Sequence, residues 1–314
     1  MDYEKATLLL TQWQTLCEND NATLWGVNLH TPFVFVDRET RQAVANMPDI
    51  EGIFTQQGDF YVGTFPIDLP IAATAMEFGG MRWAMAPWDL FQSDNHVFKL
   101  DTMVHEAFHC IQPHLLGEMA HGNDTSHIDA LEIRVLFLLE MTALIKALET
   151  EGLQRQNHIQ NALAFRHKRR ENCPNANDEN QSEMNEGTAV YTALKLTCDH
   201  EGHINEMRKY IEWTKARDSI AHFFGYVSGA MYGLVLDAVN AQWRKGLTFA
   251  SDLGELLRNV LAITTLPPYE KNRHGALQPQ RNPRPRARKN RKAQCLCARN
   301  ERHIHKTTHL ANCQ

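Results

Sequence analysis

The hydrophobic pattern of the chain changes period along its length, and each change marks a change of secondary structure. Over residues 4–18, Leu8, Leu9, Trp13 and Leu16 recur every three to four positions without a breaker, which predicts an amphipathic helix on the outside of the domain. From Leu24 the period falls to two. Leu24 to Leu29, Phe33 to Val36, Gln42 to Ala45 and Phe60 to Thr64 are rich in β-branched and aromatic residues, and Asp37-Arg-Glu-Thr40 and Gln56-Gln-Gly-Asp59 read as turns. Short strands on short polar turns predict an antiparallel meander over the β-rich residues 20–86, with Met81 to Met85 as its last strand.

After Pro87 the pattern is helical and stays so to residue 262. One helix is predicted from His96 to Ile111, bent or stopped by Pro113, which lacks a backbone donor. A second, over residues 127–149, is apolar on more than one face and therefore central. A third covers 153–171, and a fourth carries Glu183-Met-Asn-Glu-Gly-Thr-Ala-Val-Tyr191. Glycine inside a helix costs about 0.5–1 kcal/mol relative to alanine, so Gly187 is expected to permit the close approach of another helix. The fold class is α+β, a sheet followed by a mostly helical, zincin-like half, in one domain over residues 1–266.

The chemistry concentrates in the first of these helices. Positions i and i+4 lie one above the other, so His105 and His109 of His105-Glu106-Ala-Phe-His109 aim two imidazoles at one spot, as a zinc ion requires. Glu106 is one step round the helix, where a carboxylate can take a proton from a water on the metal without being a ligand. A catalytic zinc normally has three protein ligands. The residues leave the third open among His127, Glu132, Glu140 and Glu186, with Glu186 expected to face a tight interior beside Gly187, where a carboxylate needs a positive partner.

Together, His105-Glu-Ala-Phe-His109 and Asn185-Glu-Gly-Thr-Ala189 resemble the gluzincin metallopeptidases. The resemblance is closest to a group of uncharacterised bacterial proteins that combine these two motifs with Trp25-Gly-Val27, Phe35-Val-Asp37 and Tyr226-Val-Ser-Gly229, over residues 20–260. It implies a zinc-dependent peptidase in which Glu186 is the third zinc ligand and Tyr226, rather than Tyr232, donates to the oxyanion. One departure is the 77-residue separation of His109 from Glu186, far longer than in aminopeptidase N. No Gly-x-Met-Glu-Asn amine-binding signature is present, so exopeptidase activity has no support. His127, Asp129, Glu132 and Arg134 read as structural ion pairs before metal-supporting groups, as does Glu140.

Charge separates the ends of the chain. Residues 267–314 carry twelve basic and two acidic residues, while the first 266 carry a net charge of −15. An acidic body excludes nucleic-acid binding through the domain, leaving only the basic tail for such a partner. That tail has five large apolar residues in 48 positions, too few for a core, and is expected to be disordered. Seven cysteines in no framework spacing read as reduced thiols, and Met1 to Cys17 lacks the pattern of a signal peptide, so a cytoplasmic protein with no membrane span is expected. The sequence thus predicts a zinc hydrolase acting on peptides or proteins, with a catalytically inactive, zinc-stabilised binding or regulatory protein as the alternative. Deleting residues 267–314 is expected to leave the melting temperature and metal content of the domain unchanged. A large drop in melting temperature on scanning calorimetry would contradict this.

Overall fold

The sheet is built from hairpins set side by side. In the computed structural model, which describes residues 1–92, 96–120, 124–171, 175–240 and 242–268, β1 (Phe33–Val36) and β2 (Gln42–Ala45) form the central antiparallel hairpin. The hairpin of β3 (Phe54–Gln57) and β4 (Phe60–Thr64) adds β4 to the free edge of β2, and that of β5 (Thr74–Phe78) and β6 (Met81–Pro87) adds β6 to the free edge of β1. The resulting order is β3-β4-β2-β1-β6-β5. Both outer hairpins turn their second strand inward, so β6 runs parallel to β1, with Phe33 opposite Ala84 and Val36 opposite Pro87. The expected antiparallel meander is thereby corrected to a mixed sheet. The excursion between β4 and β5 carries the chain across to the far side of β1, which short turns between neighbouring strands would not do.

Other expectations over this half also change. Leu24 to Leu29 is not a strand: Asn21, Ala22 and Gly26 have φ of 48, 58 and 77°, which curl the segment into turns while Leu24, Trp25 and Leu29 are still buried. β3 was hidden because Thr55, Gln56 and Gln57 are exposed on an edge strand and carry no apolar alternation. The β5–β6 hairpin turns on Gly79-Gly80, with φ of 58 and 79°, a pair of glycines that marks such a turn in sequence. Both faces of the sheet are covered: Phe33, Phe35, Val44, Ala84 and Ala86 join the main core, whereas Val34, Val36, Trp83 and Met85 join a smaller one with Phe54, Phe65 and Phe78.

The helices complete the main core. α1 (Tyr3–Asp20) starts where Asp2 accepts from the Lys5 amide at 3.0 Å. It buries Ala6, Leu9, Leu10, Trp13 and Cys17 against the main core, while Leu8 is 57% exposed, so it lies on the outside of the domain with one face inward, as its period indicates. α2 (His96–Leu116) packs against β5 and β6 on one side and α6 (Thr188–Thr197) on the other. It does not stop before Pro113 as the sequence suggests. Proline at 113 leaves the His109 carbonyl without its helical donor, and Arg82 supplies one from β6 at 3.5 Å. The helix instead ends at Gly117, whose φ of 81° lets its amide bond the Pro113 carbonyl.

A 3-10 turn over Ser126–Asp129 occupies the start expected for the second helix, so α3 runs Leu131–Glu149. α3 and α4 (Gly152–Arg170) then form a hairpin joined by Thr150 and Glu151. α5 (Ala176–Ser182) leads through a π-turn, Glu183–Gly187, into α6, followed by α7 (His200–Lys215), α8 (Phe224–Asp237) and α9 (Leu253–Val260). No helix among the described residues is long and apolar enough to cross a membrane. Cys17, Cys110 and Cys198 are free thiols. Residues 269–314, with the basic run and Cys295, Cys297 and Cys313, lie outside the described residues, as does Cys173.

The close approach expected at Gly187 occurs. A Cβ on Gly187 would overlap the Cα of Gly229 and the carbonyl of Gly225, and one on Gly229 would overlap the carbonyl of Glu183. The π-turn and α8 therefore touch backbone to backbone. Gly229→Ala is expected to destabilise the fold by about 1–3 kcal/mol, the usual cost of overpacking. Urea unfolding of that variant against wild type checks this, and an unchanged midpoint would mean that the two segments can separate freely.

Candidate metal centre

His105 and His109 project from one face of α2 with their Nε2 atoms 3.1 Å apart. The π-turn faces them from α6's side. Glu186 Oε2 lies 3.3 Å from His105 Nε2 and 3.6 Å from His109 Nε2. These are the ligand positions that the sequence motifs nominated, and His105, His109 and Glu186 form the metal-type group found among the described residues. Ligand bonds of about 2.0–2.2 Å in a tetrahedron put neighbouring ligand atoms about 3.3–3.6 Å apart. The three observed separations bracket that edge.

Glu186 Oε2 is buried and makes no hydrogen bond of acceptable geometry, although Oε1 accepts from Asn185 Nδ2 at 3.0 Å. A buried carboxylate oxygen facing two ring nitrogens at 3.3 and 3.6 Å fits a cation of the zinc class. Burial works to raise the Glu186 pKa, but the two histidines outweigh it and hold the carboxyl well below the usual range. Burial likewise works to lower His109, and Glu186, Glu106 and Gln112 together push it up to about 9.

Glu106 and Tyr226 flank the group. Glu106 is 7% exposed, and burial raises its pKa against the opposing pull of His105 and His109. Tyr226, from α8, stacks its ring parallel to His105 with centroids 5.5 Å apart and planes 6° apart. Burial and the adjacent Glu186 carboxylate keep its hydroxyl protonated far above neutral pH. Tyr232, two turns further along α8, points elsewhere and donates to Glu140 at 2.8 Å.

The remaining candidates are structural. Glu140 is wholly buried and accepts from Arg169 Nε at 3.0 Å. His127 bonds Glu179 at 2.7 Å, Asp129 accepts from Ser219 and the Ile220 amide, and Arg134 donates to the carbonyls of Thr214 and Asp218. Glu132 is exposed on the first turn of α3. The motif residues outside the site sit behind it: Trp25 packs on Phe108 of α2 at 4.9 Å and donates to Thr192 of α6 at 2.9 Å.

Two features escaped the sequence. One is the π-turn, since α5, the turn and α6 form an unbroken helical segment with a local change of hydrogen-bond pattern; such bulges collect at functional sites. The other is Gln112, whose position three residues after His109 places it on the same helix face, a spacing that was available to find it. Its Oε1 lies 2.6 Å from His109 Nδ1, and its Nε2 donates to the carbonyls of Met184 and Asn185 at 3.1 and 2.6 Å and to Thr188 Oγ1 at 3.0 Å.

No protein-family model, curated protein or solved structure matches the chain. The metal assignment is therefore tested on the residues themselves. Zinc is expected at about one ion per chain, lost in His105→Ala, His109→Ala and Glu186→Ala because each removes one of three ligands. Glu132→Ala and the folded fraction of Glu140→Ala should keep it. Metal analysis by plasma mass spectrometry checks this, and zinc retained in Glu186→Ala but lost in Glu132→Ala would refute the ligand set.

Proposed function

We propose that the protein is a zinc-dependent hydrolase acting on peptide or protein substrates. The observation that carries this reading is the convergence of His105, His109 and the unsatisfied Oε2 of Glu186, with a buried carboxylate, Glu106, on the neighbouring helix position. His105, His109 and Glu186 would hold a zinc ion, which would supply Lewis acidity toward a substrate carbonyl and a water.

The chain's own groups do the rest. Glu106 is not needed as a ligand, and its burial makes it a stronger base than a solvated glutamate, so it can accept the proton of an attacking water and hand it to the leaving amine. Tyr226 stays protonated and can donate its hydroxyl hydrogen to oxygen charge developing beside His105. The α2 helix brings Glu106 and both histidines in one rigid piece, so their mutual spacing does not depend on a loop. Free thiols at Cys17, Cys110 and Cys198 favour a reducing compartment such as the cytoplasm.

Substitution of the base separates this reading from a zinc-stabilised binding protein. Glu106→Gln is expected to keep zinc and its melting temperature while hydrolysis of a peptide library falls by about 100-fold or more. Library turnover read by mass spectrometry checks it. Wild-type protein that holds zinc yet cleaves nothing would favour the binding protein.

A further inference from the structure

The amide of Gln112 can be oriented in only one way. Its Nε2 end meets two backbone carbonyl oxygens of the π-turn, Met184 and Asn185, and the Thr188 hydroxyl, whose own hydrogen is already given to the Met184 carbonyl. Exchanging nitrogen and oxygen would set an acceptor against acceptors, in a side chain that is 1% exposed. Oε1 therefore points at His109 Nδ1, 2.6 Å away, and an oxygen there requires a hydrogen on Nδ1. With Nδ1 as donor, the lone pair of neutral His109 is confined to Nε2, the atom that faces His105 and Glu186.

We propose that Gln112 is a positioning residue that sets the metal-binding state of the site from both sides at once. Toward α2 it fixes the tautomer and ring plane of His109. Toward the π-turn it ties down the two residues immediately before Glu186, whose carbonyls it occupies. One side chain thus couples a ligand on α2 to a ligand 77 residues later in the chain. The role is specific to a side chain that accepts at one end and donates at the other, and it rests on the metal reading above.

Two variants divide the two ends. Gln112→Leu keeps the approximate volume and removes both, whereas Gln112→Glu keeps an acceptor for His109 Nδ1–H. Zinc affinity is measured by chelator competition on protein shown to be folded by circular dichroism, and the cobalt-loaded proteins are compared by their visible absorption, which reports ligand geometry. Gln112→Leu is expected to bind zinc about 10–100-fold more weakly than wild type, the usual effect of removing a partner that orients a metal-bound histidine. Gln112→Glu should bind more tightly than Gln112→Leu. Affinity within twofold of wild type in Gln112→Leu overturns the proposal, and equal losses in the two variants overturn the tautomer half of it. Should neither variant fold, nitrogen-15 NMR of the zinc-loaded wild type still decides: His109 must carry its proton on Nδ1, and coordination through that atom overturns the assignment. A wild type that binds no zinc at all overturns the metal reading, and with it the role of Gln112, so the two failures are told apart.

Discussion

The backbone contact between the π-turn and α8 is the constraint on which the site depends. Gly187 and Gly229 touch without side chains between them, and Gly225 lies against Ser182 in the same way one turn earlier. That proximity brings Tyr226, between Gly225 and Gly229 of α8, to the same spot as Glu186. Any side chain at these glycines would lift α8 from the turn and move Tyr226 and Glu186 apart. Close helix contact is thus a means of placing these two side chains together, and the small residues cost helix propensity that the packing must offset.

A buried ionic cluster holds the other side of the turn. Arg166 grips Glu183 with two hydrogen bonds, of 2.6 and 2.7 Å, and Ser228 of α8 adds a third to the same carboxylate. Arg169 bridges Glu140 and Glu179, and Arg170 bridges Glu179 and Asp252. Burial disfavours the Glu179 and Asp252 charges, yet the arginines outweigh it and hold both carboxyls far below their ordinary range. Ion pairs taken out of water contribute little net stability, because desolvation cancels most of the attraction. Their effect is directional: bidentate guanidinium geometry fixes Glu183, and Glu183 begins the turn that ends at Gly187.

How much of this was legible depended on whether the information was local. The HExxH helix, Gly187 as a close-contact residue and the sheet-then-helices order all follow from spacing of three or four residues or from a change of period, and each is present in the structure. The sheet's parallel β1–β6 pair was not readable, because pairing direction is decided by where a distant hairpin docks and not by either strand. β3 was not readable because an exposed edge strand has no hydrophobic face to alternate. Pro113 misled the helix boundary for a related reason: its penalty is real, but Arg82 from another element satisfies the carbonyl that it orphans.

The long separation between the two motif helices also has a physical account. From α2 the chain enters α3 and α4, a hairpin that ends near where it began and delivers the segment to α5. Closing a loop grows costlier only as the logarithm of its length, about 0.6 kcal/mol per doubling, so a 77-residue span is no obstacle in itself. What such a span does need is a fixed exit. Arg166, Arg169 and Arg170, all in the last turns of α4, provide it through Glu140 on α3, Glu179 on α5 and Glu183 on the π-turn. Two of these arginines are buried within the cluster, Arg166 at 4% and Arg169 at 1% exposure. The α3–α4 segment is consequently anchored at Glu183, three positions before Glu186.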